Sequence, residues 1–269
     1  MKADISKARI EASKFIDFYT FETPEDIRIE DIAMDQGLII RESVINGAEA
    51  RLVQDGKNGV ITVNIGGDPR RKRFAIAHEI GHWKLHRDNR LADLCTTQDL
   101  TTLTDASSIE TEANIFASEL LMPRNLFLQR CRNTEPNIQT IKKLSEIFDT
   151  SLTSTALRFI DFTDENCFLV YSKDSEIIWW RKNQKSGLKI NEYDQIQKNS
   201  SAWKCASGQL TESEMKRIST DAWFPSPPKA LHVEVQEQSI KLGAYPYVLT
   251  LLWVSEEEKS YLDEDDDDL

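Results

Sequence analysis

The chain has 269 residues, 40% of them hydrophobic and 29% charged, with ten glycines and eight prolines. That length exceeds one typical domain and points to two, and the composition excludes a collagenous or wholly disordered chain. The formal net charge of −12 is concentrated at the end: Glu256 to Leu269 hold nine acids and one base, a charge of −8, which leaves −4 for everything before. The broad basic footprint of a nucleic-acid-binding protein is therefore missing, and the tail reads as a solvated, disordered end.

Cys95, Cys131, Cys167 and Cys205 are spaced by 36, 36 and 38 residues, but their flanking sequences share nothing and no CxxC pair occurs. They read as reduced, buried thiols rather than as a repeat or a metal cluster. The opening MKADISKARIEASKFIDFY has no continuous apolar run, and no stretch is long enough to span a bilayer. The expectation is a cytoplasmic protein with no membrane partner.

In chain order, Ala3, Ile10, Ala12 and Phe15 give a helical period through about Tyr19. Pro24-Glu25-Asp26 opens a short helix containing Ile29, Ile32 and Ala33, with Gly37 placed to stop it. Leu38 to Arg41, Ala48 to Val53 and Gly59 to Ile65 read as strands, and a long helix follows from near Arg71 to about His86. The basic run Arg70 to Arg73 before it reads as a solvated loop or a means of steering an acidic substrate. After a polar loop from Asp88 to Asp105, a helix runs from about Ser108 to Leu121 and is ended by Pro123.

Ile138 to Phe148 and Leu152 to Ile160 then form two helices around Asp149-Thr150-Ser151, the outline of a helix-turn-helix. Its bases, Lys142, Lys143 and Arg158, are balanced by Glu146 and Asp149, so direct DNA binding is not expected. From Asn166 the texture turns to strands: Cys167 to Tyr171, Glu176 to Arg181, Leu231 to Val235 and Tyr247 to Val254. Five of the six tryptophans fall here, which predicts a separate core.

The sequence His78-Glu79-Ile80-Gly81-His82 is specific in itself. Residues four apart lie on one helix face, so two imidazoles can share one Zn²⁺ while Glu79 stands beside its open position as general base for hydrolysis. The small neighbours Ala75, Ala77 and Gly81 would let another helix approach. For the third ligand, Asp88 has the spacing of one zinc-peptidase pattern but lacks the glycine that pattern needs at Leu85. His86 lies about 12 Å along the axis from His78, too far to share the ion, and reads as a group beside the ligands, on the substrate side, or simply at the surface. On the helix after Ser108, steps of about 100° centre the apolar arc near Ala113, put Glu110 and Asn114 on its shoulder, and turn Glu112 and Glu119 away. Glu110 is the better ligand, with Glu112 the fallback. Asn114 could hold an imidazole nitrogen. A competing role for Glu110 is the capping box formed with Ser107.

The run Arg73-Phe-Ala-Ile-Ala-His-Glu-Ile-Gly-His82 with Leu85-His86, followed by Glu110-x-Glu-Ala-Asn-x-Phe-Ala-x-Glu-Leu-Leu-Met-Pro123, resembles the ImmA/IrrE family of metallopeptidases. The resemblance covers about the first 125 residues. It implies an α+β fold: a minimal gluzincin-like zinc metallopeptidase domain (1–132), a helix-turn-helix-like segment (133–162), a C-terminal mixed α/β sensor-like domain (163–255) and the acidic tail (256–269). It further implies zinc on His78, His82 and Glu110, with Mn²⁺ the alternative ion, and Glu79 as base. The implied activity is cleavage of a helix-turn-helix repressor, which releases stress-response or mobile-element genes. Strand Gly59 to Ile65 is either an active-site edge that pairs with an extended substrate or an interior strand with no free edge.

Overall fold

The computed structural model describes residues 3–55, 58–87, 95–96, 108–183, 188–190, 194–224, 234–243 and 246–254. The acidic tail, Asp88, Ser107 and most of the polar loop lie outside them. The chain divides into two compact units, Met1–Gln129 with Ser145–Ser151, and Arg130–Leu144 with Leu152–Leu269.

In the first unit, α1 (Ile5–Tyr19) starts at Asp4, whose carboxylate accepts from the Lys7 N–H at 2.9 Å. A 3-10 turn at Pro24–Asp26 leads into α2 (Ile29–Asp35), and Gly37, at φ 77°, supplies the left-handed turn into the sheet. The strands β1 (Leu38–Ser43), β2 (Ala48–Asp55), β3 (Asn58–Asn64) and β4 (Cys95–Thr96) lie in the order β1-β3-β2-β4. β3 pairs parallel with β1 and antiparallel with β2. It is thus flanked on both sides, which overturns its reading as an edge that recruits substrate. Its run Val60 to Val63 is apolar or β-branched throughout, and the successive residues Ile61, Thr62 and Val63 are all buried, as in a strand covered on both faces.

Three helices follow: α3 (Pro69–Leu85), α4 (Ser108–Leu121) and α5 (Arg124–Cys131). α4 packs on both α3 and α1. Ala8 and Ala12 of α1 and Ala113, Phe116, Ala117 and Leu120 of α4 are fully buried, and Phe15 meets Phe116 edge-on at 5.6 Å between centroids. Burying a side chain the size of Phe116 stabilises the fold by about 1.5–3 kcal/mol. Pro123 does end α4, but it also begins α5, its carbonyl accepting from Phe127 N at 2.8 Å.

The basic run is helical rather than a loop, occupying the first turns of α3. Its charges are engaged locally. Arg70 reaches Asp149 and Ser145, Arg71 lies 4.0 Å from Glu49, Lys72 pairs with Glu42, and Arg73 donates to the Ile27 carbonyl.

Helix α6 (Ile138–Phe148), a turn in which Asp149 has φ 48°, and α7 (Leu152–Phe162) come next. The second unit holds an antiparallel sheet of β5 (Asn166–Lys173), β6 (Glu176–Lys182), β7 (Lys216–Ser219), β8 (Glu234–Lys241) and β9 (Tyr247–Val254), in the order β6-β5-β9-β8-β7. Asp174 and Ser175, both at positive φ, make the two-residue turn from β5 to β6. Helix α8 (Ser201–Ala206) packs on β8 over a core that includes Phe168, Trp223, Phe224 and Leu252. The strand expected at Leu231 to Val235 starts at Glu234 and runs to Lys241; residues 231–233 lie outside the description. Cys131, Cys167 and Cys205 are buried. No described helix is long and apolar enough to cross a membrane.

Candidate metal centre

Asp68 caps α3 by accepting from Arg70 N at 2.8 Å, and Pro69 follows at the first helical position. Three turns on, α3 carries His78 and His82, and α4 lies against it at Gly81. A Cβ on Gly81 would stand 3.2 Å from both Cα and the carbonyl oxygen of Ala113. The missing side chain lets α4 lie that close without its backbone giving way by a few tenths of an ångström, and the approach brings Glu110 to the two histidines.

The three side chains meet closely. His78 Nε2 lies 3.0 Å from Glu110 Oε2, His82 Nε2 lies 3.2 Å from Glu110 Oε1, and the two Nε2 atoms are 3.0 Å apart. Two metal bonds of about 2.0–2.1 Å at the tetrahedral angle would put their donor atoms about 3.3 Å apart, so the cluster has the dimensions of three ligands around one ion. His78, Glu79, Glu110, Glu112 and Asn114 are all buried. Burial works to raise the Glu110 pKa, but where His78 and His82 carry protons toward it, their hydrogen bonds and charges outweigh burial and hold the carboxyl well below the usual range.

Hydrogen-bond direction agrees with a cation. His78 Nδ1 lies 2.8 Å from Asn114 Oδ1, an acceptor, so Nδ1 carries the proton and Nε2 presents its lone pair to the cluster. An imidazole lone pair and a carboxylate that meet a second imidazole in a largely buried site favour a positive charge between them. The donor set, two imidazoles and one carboxylate, suits zinc. Glu79 follows His78 on α3, one residue from a ligand candidate.

One residue weighed in the sequence, Glu112, stands elsewhere than expected, and His86 takes the place beside the ligand candidates. Glu112 is buried rather than turned to solvent, because α4 has two covered sides: α3 on one and α1 on the other. It lies on His86 and on the start of α1, not among the three ligand candidates. His86 is buried too, at the C-terminal cap of α3. Burial lowers its pKa, outweighing the hydrogen bond to Glu112. The sign that could have shown the second covered side is the small-residue stripe Ala8 and Ala12, which allows α1 to lie close against a neighbour.

Residues 34–159, which include the whole cluster, match the family model of the peptidase M78 family, described as the IrrE N-terminal-like domain. The match spans a little under half of the chain, 126 of its 269 residues. Within the curated proteins, the radiation response metalloprotease IrrE of Deinococcus radiodurans is 31% identical over 101 residues, which make up 37% of this chain and only 30% of that protein's length. A solved structure described as a Mycobacterium tuberculosis transcriptional regulator superposes with a TM-score of 0.61 over 96% of this chain and 91% of that one, at 13% identity. At that identity the likeness is one of fold.

Proposed function

We propose that the chain belongs to the ImmA/IrrE family and is a zinc-dependent, site-specific endopeptidase. What carries the reading is the convergence of His78, His82 and Glu110 within hydrogen-bonding distance of one another, with Glu79 on the same helix turn. In this reading His78, His82 and Glu110 hold the ion and Asn114 fixes the His78 ring. A zinc ion there supplies Lewis-acid polarisation and acidifies water. Glu79 takes a proton from the attacking water as its oxygen bonds to the peptide carbon, then gives that proton to the departing nitrogen as the C–N bond breaks.

The substrate follows from kinship. The matched relative is named a radiation response metalloprotease, and the fold neighbour a transcriptional regulator. Neither name specifies a substrate; on the family resemblance alone we assign to this chain cleavage of a helix-turn-helix repressor in the cytoplasm, releasing stress-response or mobile-element genes. Direct DNA binding through α6 and α7 is disfavoured, since Lys142 pairs with Glu212, and Arg158 is buried with its guanidinium over Phe162.

The test is to incubate the wild type and Glu79→Gln, each with its zinc content measured, with a helix-turn-helix repressor encoded near the gene, and to read the products by intact mass. Both should hold zinc. The wild type should cut at one site, and Glu79→Gln should lose about 10²–10⁴ in rate. Repressor binding without cleavage by the wild type, with zinc or Mn²⁺ supplied, would make the protein a non-cleaving metal-dependent module.

A further inference from the structure

We propose that His86 and Glu112 form a positioning chain that orients His82 and ties the metal centre to the start of α1. The proposal rests on the metal reading above and extends it outward from one ligand. His82 Nδ1 lies 3.0 Å from His86 Nδ1, and His86 Nε2 lies 3.1 Å from Glu112 Oε2. The other oxygen of Glu112, Oε1, accepts the backbone N–H of Asp4 at 2.8 Å.

With Glu112 a carboxylate and His86 neutral, the protons in this chain have one consistent arrangement. Glu112 as a carboxylate only accepts, so His86 Nε2 must carry a hydrogen. A neutral His86 then has a bare Nδ1, which can only accept, so His82 Nδ1 must be the donor. That leaves the His82 Nε2 lone pair facing His78 and Glu110, where a metal ligand needs it. The same logic that Asn114 applies to His78 is thus applied to His82 through two side chains and a backbone amide. Imidazole ligands commonly gain orientation and basicity from such outer partners.

Burial supports a built arrangement rather than a chance one. His86 and Glu112 are each about 8% exposed, and burying both is costly unless each is paired. They are paired with one another. The chain crosses three helices, His86 from the end of α3, Glu112 from α4 and Asp4 from the cap of α1, so the position of α1 bears on the geometry of a ligand. The N-terminal helix, which contributes no ligand candidate, thereby becomes a support of the centre.

The experiment uses the full chain as wild type, His86→Ala, His86→Asn, Glu112→Gln and Glu112→Ala. Zinc affinity is measured by competition with a chromophoric chelator, and the Co²⁺-loaded proteins are compared by their visible absorption. His86→Ala and Glu112→Ala should weaken zinc binding about 10–100-fold and alter the cobalt spectrum. His86→Asn places an amide oxygen where Nδ1 was, keeps an acceptor for His82, and should recover most of the lost affinity. Glu112→Gln should fall between. Loss of apo-protein melting temperature with unchanged zinc affinity and spectrum in every variant would reduce the pair to a helix support and overturn the proposal. If His86→Ala does not fold, Glu112→Gln carries the same test. Absence of zinc binding by the wild type would instead remove the metal reading, and this proposal with it.

Discussion

Glu237 places a carboxylate, 0% exposed, under the first turn of α8, where Oε2 accepts from Ser201 N at 2.9 Å and Oε1 from Ala202 N at 3.1 Å, with Lys216 Nζ 4.0 Å away. Two backbone donors favour the charged form, yet desolvation is the larger effect and pushes its pKa up from the usual carboxylate range. A carboxyl whose folded pKa exceeds its unfolded one binds more protons in the native state between the two values, so its contribution to stability falls as pH rises through that window. Urea unfolding of wild type and Glu237→Gln across acid to neutral pH should show the wild type losing ground to the variant as pH rises. A difference independent of pH would mean that Glu237 keeps its ordinary pKa. The site residues differ in how visible they are in the sequence. His78, His82, Glu110 and Asn114 come together in the structure as steps of about 100° along two helices place them, because each lies near the one seam between α3 and α4. Glu112 was not legible, since its surroundings come from α1, more than a hundred residues earlier in the chain.

At the scale of elements, the spacing between α3 and α4 is set by Gly81, and the substitution Gly81→Ala isolates it. The added methyl would press on the Ala113 backbone at 3.2 Å and on Phe116 Cβ at 3.3 Å, contacts that only a shift of α4 can relieve. Overpacking costs about 1–3 kcal/mol, offset by about 0.5–1 kcal/mol gained from replacing a helical glycine. The melting temperature should therefore fall only modestly, whereas zinc affinity should drop by about tenfold, the scale on which supporting groups act at metal sites. Unchanged affinity in a folded Gly81→Ala protein would show that the helix approach does not set ligand geometry. The elements best read from sequence are those with a clean period, such as α6 and α7, whose apolar residues recur every three or four positions. β8 was displaced in the reading because its buried residues include Glu237, Gln238 and Ser239, which pair with α8, the Ile138 N–H and Thr250 instead of showing an apolar alternation. α5 was missed because Pro123 reads as a stop although it also serves as a start.

For the whole molecule, the division into two units, each with its own buried core, makes metal binding a property of one unit's stability. An ion bound by His78, His82 and Glu110 joins α3 to α4, and a ligand that binds only the native state adds stability in proportion to the logarithm of its saturation, about 4 kcal/mol at a thousandfold excess over its dissociation constant. In a unit of this size that corresponds to a melting shift on the order of 10 °C. Differential scanning calorimetry of the full chain should show two transitions, and a chelator should lower only one of them. Glu110→Gln should lower the same transition toward its chelated position and make it insensitive to added zinc. A single transition that moves as a whole would mean that the units melt as one cooperative body. The metal's stabilisation would then be shared across the chain, in which α5 and α6 each have residues in both units.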